Sequence, residues 1–194
     1  MIIVFDTETS GLPKNWSAPT SDGDAWPRMV QLAWQLYSDD GRKLAEHNYI
    51  IKPDGYTIPD EVAKIHGITT ERAEKEGVPL GFALKVFSSN LFYASPLVAH
   101  NVSFDEKIVG AELMREGMEM EHAELFATDR VCTMHGATKY CGIQGPRGLK
   151  WPKLIELHTK LFGEGFEGAH DALVDVQALA KCYFELKKLG IISV

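Results

Sequence analysis

Ile2-Ile3-Val4-Phe5-Asp6-Thr7-Glu8 opens the chain and joins an apolar run to two acids. Three β-branched residues and a phenylalanine make a short apolar run suited to a buried strand. The run meets an acid with no turn residue between. If the strand continues through Asp6 and Glu8, the two side chains are two residues apart and point to one face. Like charges held that close either raise a pKa or call for a cation between them, so an apolar strand ending in Asp-Thr-Glu makes half a site for a hard metal. Standing alone, the pair is explained equally well by an exposed strand end.

Val30, Leu32, Trp34 and Leu36 alternate with less apolar neighbours as a second strand, and residues 43–51 supply a third. Residues 13–27, rich in Pro, Ser, Asp and Gly and holding Trp16 and Trp26, read as a long loop. Such a loop either covers a substrate or decorates the surface, and decoration is the favoured reading. Helical segments are predicted over 59–64, 69–76 and 81–93, a strand over 97–99, and a helix over 103–116 closed by Gly117. A strand over 127–134 and a helix over 151–162 ended by Gly163 follow. The last helix is the clearest: Leu173, Val176, Ala180 and Tyr183 repeat at helical spacing, with Lys187, Lys188 and then Gly190 at its end. Strands first, then alternating helix and strand, predict an α/β protein with a mixed sheet flanked by helices. The 194 residues carry no internal repeat and no linker, so one domain over 1–194 is expected.

Hydrophobic residues at 45% and charged residues at 24% are ordinary for a globular chain and exclude a disordered or fibrous one. No apolar run approaches the roughly 20 residues needed to cross a bilayer, and the N-terminus lacks the basic start of a signal peptide. A cytoplasmic location away from membranes is expected. Three cysteines, an odd number without paired spacing, argue against a disulfide framework, and Cys132, His135 and Cys141 fit no recognised zinc spacing. The net charge of -7 weighs against wrapping nucleic acid with clustered Lys and Arg. An enzyme that holds only a few terminal nucleotides escapes the objection, because bound cations recruit the phosphate and the carboxylates that hold them make the chain more acidic.

Two further acids sit where chemistry is usually placed. Asp105 follows Leu97-Val98-Ala99-His100-Asn101-Val102-Ser103-Phe104, at the start of a helix just past a buried strand, where open α/β sheets put their sites. An Asp in a first helical turn is also favoured by the dipole alone. Asp175 lies in Gly168-Ala169-His170-Asp171-Ala172-Leu173-Val174-Asp175, at the opening of the last helix. Five residues on a helix separate side chains by about 140°, so His170 reaches the same site only from the loop or first turn ahead of the helix.

Four motifs therefore lie in register: Phe5-Asp6-Thr7-Glu8-Thr9-Ser10-Gly11, Ile65-His66-Gly67-Ile68-Thr69, His100 through Asp105, and His170 with Asp175. Together they resemble the DnaQ-like, or DEDDh, 3′→5′ exonuclease family, which includes the proofreading epsilon subunit of bacterial DNA polymerase III, and the match spans almost the whole chain. A histidine rather than a tyrosine in the last motif is that of the family's histidine branch. The resemblance implies a ribonuclease H-like fold with a central mixed sheet of about five strands. It implies two Mg²⁺ ions, with Mn²⁺ able to substitute: Asp6 bridges them, Glu8 and Asp175 complete the first site, and Asp105 supports the second. His170 is implied as the general base. Backbone near Thr7 and Thr9 is implied to meet the terminal sugar, while Leu12, His66, Ile68 and Phe104 border its base; for Ile68 and Phe104, core packing is the competing reading.

The activity so implied is removal of nucleoside 5′-monophosphates from the 3′ end of a single-stranded or frayed strand, with DNA favoured. An RNA-trimming exoribonuclease of the oligoribonuclease or ribonuclease T kind uses the same residues and is the alternative. Stable association with a polymerase is not expected, since only six residues follow Lys188, and a homodimer is left open. A phosphohydrolase working through an aspartyl-phosphate would need an Asp where Glu8 stands and would leave His170 and Asp175 unexplained. A non-catalytic module would not need all five residues.

Overall fold

A computed structural model describes residues 1–193. Its centre is the sheet of β1 (Ile2–Thr9), β2 (Met29–Tyr37), β3 (Lys43–Ile50), β4 (Leu97–Ala99) and β5 (Arg130–Cys132), in the order β3-β2-β1-β4-β5. β1 pairs antiparallel with β2 and parallel with β4, so the sheet is mixed and has the five strands expected. β1 runs on through Asp6 and Glu8, and its register against β2 slips only between Glu8 and Thr9.

The two-residue period of β1 divides its side chains between two cores. Ile3 and Phe5 pack with Phe87 of α3 (Leu80–Leu91) and with Ile108 and Val109 of α4 (Val102–Arg115). Ile2 and Val4 pack with Val176, Leu179 and Tyr183 of α8 (Ala172–Lys188). Asp6 and Glu8 continue the α8-side set, whereas Thr7 and Thr9 continue the α4-side set. A smaller cluster joins Val30, Ile58 and Ile68 to Ala63 of α1 (Asp60–His66) and Ala73 of α2 (Thr70–Glu76). Among the described residues, no helix is long and apolar enough to cross a membrane.

The expected strand over 127–134 shrinks to β5, because local bonds turn both of its ends helical. Thr128 donates its hydroxyl to the Glu124 carbonyl at 2.8 Å, closing α5 (Glu119–Ala127), and the Cys132 sulfur accepts from the His135 N–H, opening α6 (Thr133–Cys141). The helix expected over 151–162 begins only at Leu154, as α7 (Leu154–Phe162). Pro152 has no N–H for a helix ladder, and its carbonyl instead accepts from His100 Nε2 at 2.9 Å. Ahead of α7 lies a short hairpin, β6 (Gln144–Gly145) with β7 (Gly148–Leu149), that the sequence reading did not anticipate.

Residues 13–27 are more than surface decoration. Ala18, Ala25 and Trp26 join the core against α4, with Trp26 only 3% exposed. Arg115 of α4 donates to the carbonyls of Gly23 and Trp26 at 2.6 and 2.7 Å, and Lys14 N–H closes the loop on the Ala25 carbonyl at 2.9 Å.

Candidate active site

Three elements deliver acids to the C-terminal end of β1. Asp6 and Glu8 stand on the strand itself. Asp105 comes from the first turn of α4, after a sharp reversal at Asn101, whose φ is 96°. Asp175 comes from the first turn of α8, after His170, whose φ is 73°. Among the described residues these are the non-glycine positions with positive φ. A left-handed residue costs backbone energy, so the two turns hold strain where the site acids are presented.

α8 is set by its own N-terminus. Asp171 caps it, accepting from the N–H groups of Leu173 and Val174, and Ala172 N–H donates to Gln31 Oε1 of β2 at 3.1 Å. Asp175 Oδ2 in turn accepts the His170 N–H at 2.9 Å, folding the turn back over the helix start. Glu8, His170 and Asp175 thereby each present a ligand atom within 4.8 Å of the other two. His170 reaches this cluster from the turn ahead of the helix and is exposed.

Asp105 approaches from the other side of β1. Its Oδ1 accepts both the Thr7 hydroxyl at 2.8 Å and the Thr7 N–H at 3.1 Å, and the carboxyl is buried. Burial raises Asp105 to about 7 despite these two bonds, which act to lower it. Burial likewise raises Asp6 well above the carboxylate range, followed by repulsion from Asp105, Asp175 and Glu8. Glu8 is pushed up to about 8 by burial and then by Asp175 and Asp105. Asp175 rises through burial, opposed by its bond from His170. The four acids are thus an uncompensated cluster of oxygen donors, which fits hard divalent cations such as Mg²⁺ or Mn²⁺ and no soft metal.

Beside the acids lies a groove of about 540 Å³ lined by Thr7, Thr9, Leu12, His66 and Phe104, with α1 forming its far wall. His66 accepts the Ile68 N–H on Nδ1 at 3.1 Å, which leaves Nε2 carrying the proton, buried and turned to the Thr9 backbone. Ile68 itself is fully buried with Val30 and Ala73 and does not line the groove, so its side chain belongs to the core. Thr7 commits its N–H and hydroxyl to Asp105, while Thr7 and Thr9 both line the groove. The sequence reading quoted Ile65 in its motif but missed Glu61 and Val62, which line the same wall opposite. The signal was present: Glu61 and Ile65 are four apart on the helix that ends in His66, hence on one face of it.

The family described as Exonuclease, of the RNase T kind, matches residues 3–183. A relative, the PolC-type DNA polymerase III of Mycoplasmopsis pulmonis (strain UAB CTIP), is 31% identical over 119 residues, which are 61% of this chain and 7% of that protein. E. coli exonuclease I in complex with a dT13 oligonucleotide superposes with a TM-score of 0.71 at 20% identity, over 96% of this chain and 40% of that one. Exonuclease I from Methylocaldum szegediense gives 0.72 at 18% identity, over 96% and 40%. The fold is therefore that of exonuclease I, a ribonuclease H-like one, and the chain spans well under half the length of these relatives.

Proposed function

Because this chain belongs to the exonuclease family, we propose that it hydrolyses the terminal phosphodiester bond at the 3′ end of a nucleic-acid strand, releasing nucleoside 5′-monophosphates. The observation that carries the reading is the meeting of Asp6, Glu8, Asp105 and Asp175, each held above its ordinary pKa, beside a groove of nucleotide size. Those four carboxylates would hold two divalent cations, which when bound neutralise charge at the scissile phosphate and lower the pKa of a water. His170 would accept the proton of the attacking water as its oxygen bonds to phosphorus. The bond from phosphorus to the 3′ oxygen of the preceding nucleotide breaks, and that oxygen takes a proton from solvent.

The remaining roles follow from placement. The bond from His170 N–H to Asp175 fixes the imidazole's approach relative to the metal-binding cluster. Leu12, Phe104 and Ile65 supply apolar surface for a base. DNA is favoured because exonuclease I has been captured with dT13 and dA16 oligonucleotides and because the relative above is a DNA polymerase.

Competition among labelled single-stranded DNA, duplex DNA with a mismatched end, and RNA of the same sequence tests the substrate. The expected order of kcat/KM is single-stranded DNA first and RNA last, with none cleaved in chelator. RNA cleaved in preference to both DNA substrates would move the chain to the RNA-trimming reading.

A further inference from the structure

The 13–27 loop carries an aromatic ring to the edge of the nucleotide groove. Trp16 is 52% exposed, and its ring centroid lies 5.7 Å from that of Phe104, which lines the groove. Leu12, 75% exposed, borders the same groove four residues earlier in the chain. Large apolar side chains this exposed, continuous with a groove, mark a surface that meets something.

The loop also holds this ring in place. Ala18 N–H donates to the Asn15 carbonyl at 3.2 Å and Ser17 N–H to Asn15 Oδ1 at 3.0 Å, forming a tight turn around Trp16. Lys107 of α4 donates to the Trp16 carbonyl at 3.2 Å while its ammonium lies 5.4 Å over the Trp26 ring. Trp26 is the buried anchor and donates to the Pro19 carbonyl at 3.2 Å. One tryptophan thus fixes the loop to the core so that the other stands exposed beside the groove. A loop that only filled surface would gain nothing from exposing an indole.

We propose that Trp16 is a stacking platform for a base of the single-stranded substrate upstream of its 3′-terminal nucleotide. The inference rests on the exonuclease reading above and deepens it: Phe104 serves the terminal nucleotide, and the adjoining Trp16 serves the strand that leads to it. Lys107, beneath the same turn, holds the backbone of Trp16 through its bond to that carbonyl. Stacking on an indole is tolerant of base identity, which suits an enzyme that removes nucleotides in succession.

The test compares wild type, Trp16→Ala and Trp16→Phe on a single-stranded DNA of about ten nucleotides, with Asp6→Ala as the inactive control. Trp16→Ala raises KM about 5- to 150-fold with little change in kcat, and Trp16→Phe recovers most of the loss. The gap between wild type and Trp16→Ala narrows on a strand whose second and third nucleotides from the 3′ end are abasic, a behaviour that mere loosening of the loop would not produce. Equal KM values for wild type and Trp16→Ala on the normal strand, or a gap that persists on the abasic one, would overturn the proposal while leaving the nuclease intact. Absence of cleavage by the wild type would overturn the exonuclease reading and this inference with it.

Discussion

Thr7 gives both its hydroxyl and its backbone N–H to a single oxygen of Asp105, at 2.8 and 3.1 Å. Thr7 and Asp6 are neighbours on β1 that point to opposite faces, so this pair ties the acid of α4 to the strand that carries the other acids. The two bonds on Oδ1 oppose the upward push of burial on Asp105. Thr7→Val removes the stronger bond, so Asp105 ionises less readily. The Mg²⁺ concentration for half-maximal activity should rise about tenfold at neutral pH, from the roughly 1.5–3 kcal/mol of such a bond, and recover as pH is raised. An unchanged metal titration would remove Thr7 from this role.

His170 and Asp6 should fail in different ways. Asp6→Ala should lower activity about 10³-fold or more at any Mg²⁺ concentration while the protein still melts cooperatively, since it relieves repulsion in the apo cluster. For His170 the informative variant is Asn, which tolerates the left-handed backbone seen there. His170→Asn should lower kcat about 10²–10⁴-fold and leave metal affinity within about threefold of wild type. Rescue of His170→Asn by added metal would make His170 a ligand or a structural residue instead.

The acids also set a pH dependence of stability. Glu8 is raised to about 8 and Asp105 to about 7, above the unfolded values near ~4, so the folded state binds more protons than the unfolded one between those limits. Their contribution is whole below about pH 4 and is lost as pH rises through about 7 to 8. Without metal, the Tm should therefore fall from about pH 5 to about pH 8. Saturating Mg²⁺ should reverse the fall, and Asp6→Asn should flatten it. A metal-free Tm that rises across this window would contradict the picture of an uncompensated cluster.

Much of this site was legible in the sequence because it obeys short-range rules. The two-residue period put Asp6 and Glu8 on one face of β1, and the angle between residues 170 and 175 required His170 to come from a turn. Less was legible where tertiary contact decides. Nothing local marks residues 13–27 as core, because their anchors are the Arg115 and Lys107 side chains of a helix about 90 positions away. Ile68 stayed open between two readings for the same reason: an apolar residue beside a groove motif can face either the groove or the core, and here Ala73 and Val30 enclose it. Most of α5 and α6 lies in residues 119–126 and 135–141, to which no element was assigned, and their inner ends were given to the strand over 127–134 until the Thr128 and Cys132 bonds are seen.

Glu112 offers a structural test of the loop's role. Fully buried on α4, it accepts from Arg28 Nε at 3.0 Å and Met29 N–H at 2.8 Å and pairs with Arg115 at 3.1 Å, joining the end of the 13–27 loop to the start of β2. Glu112→Ala leaves two arginines without their buried partner and should cost about 3–5 kcal/mol in denaturant unfolding. Proteolytic nicking within residues 13–27 should accompany it. A loss below about 1 kcal/mol with an intact loop would show that other contacts hold it.

The most direct test of the central claim follows the ends of one single-stranded DNA through time. A label on the 5′ end should reveal products shorter by one nucleotide at each step, while a label in the 3′-terminal nucleotide leaves at once as a 5′-monophosphate, both only when Mg²⁺ or Mn²⁺ is present. Internal cuts, shortening from the 5′ end, or cleavage that persists in chelator would contradict the account.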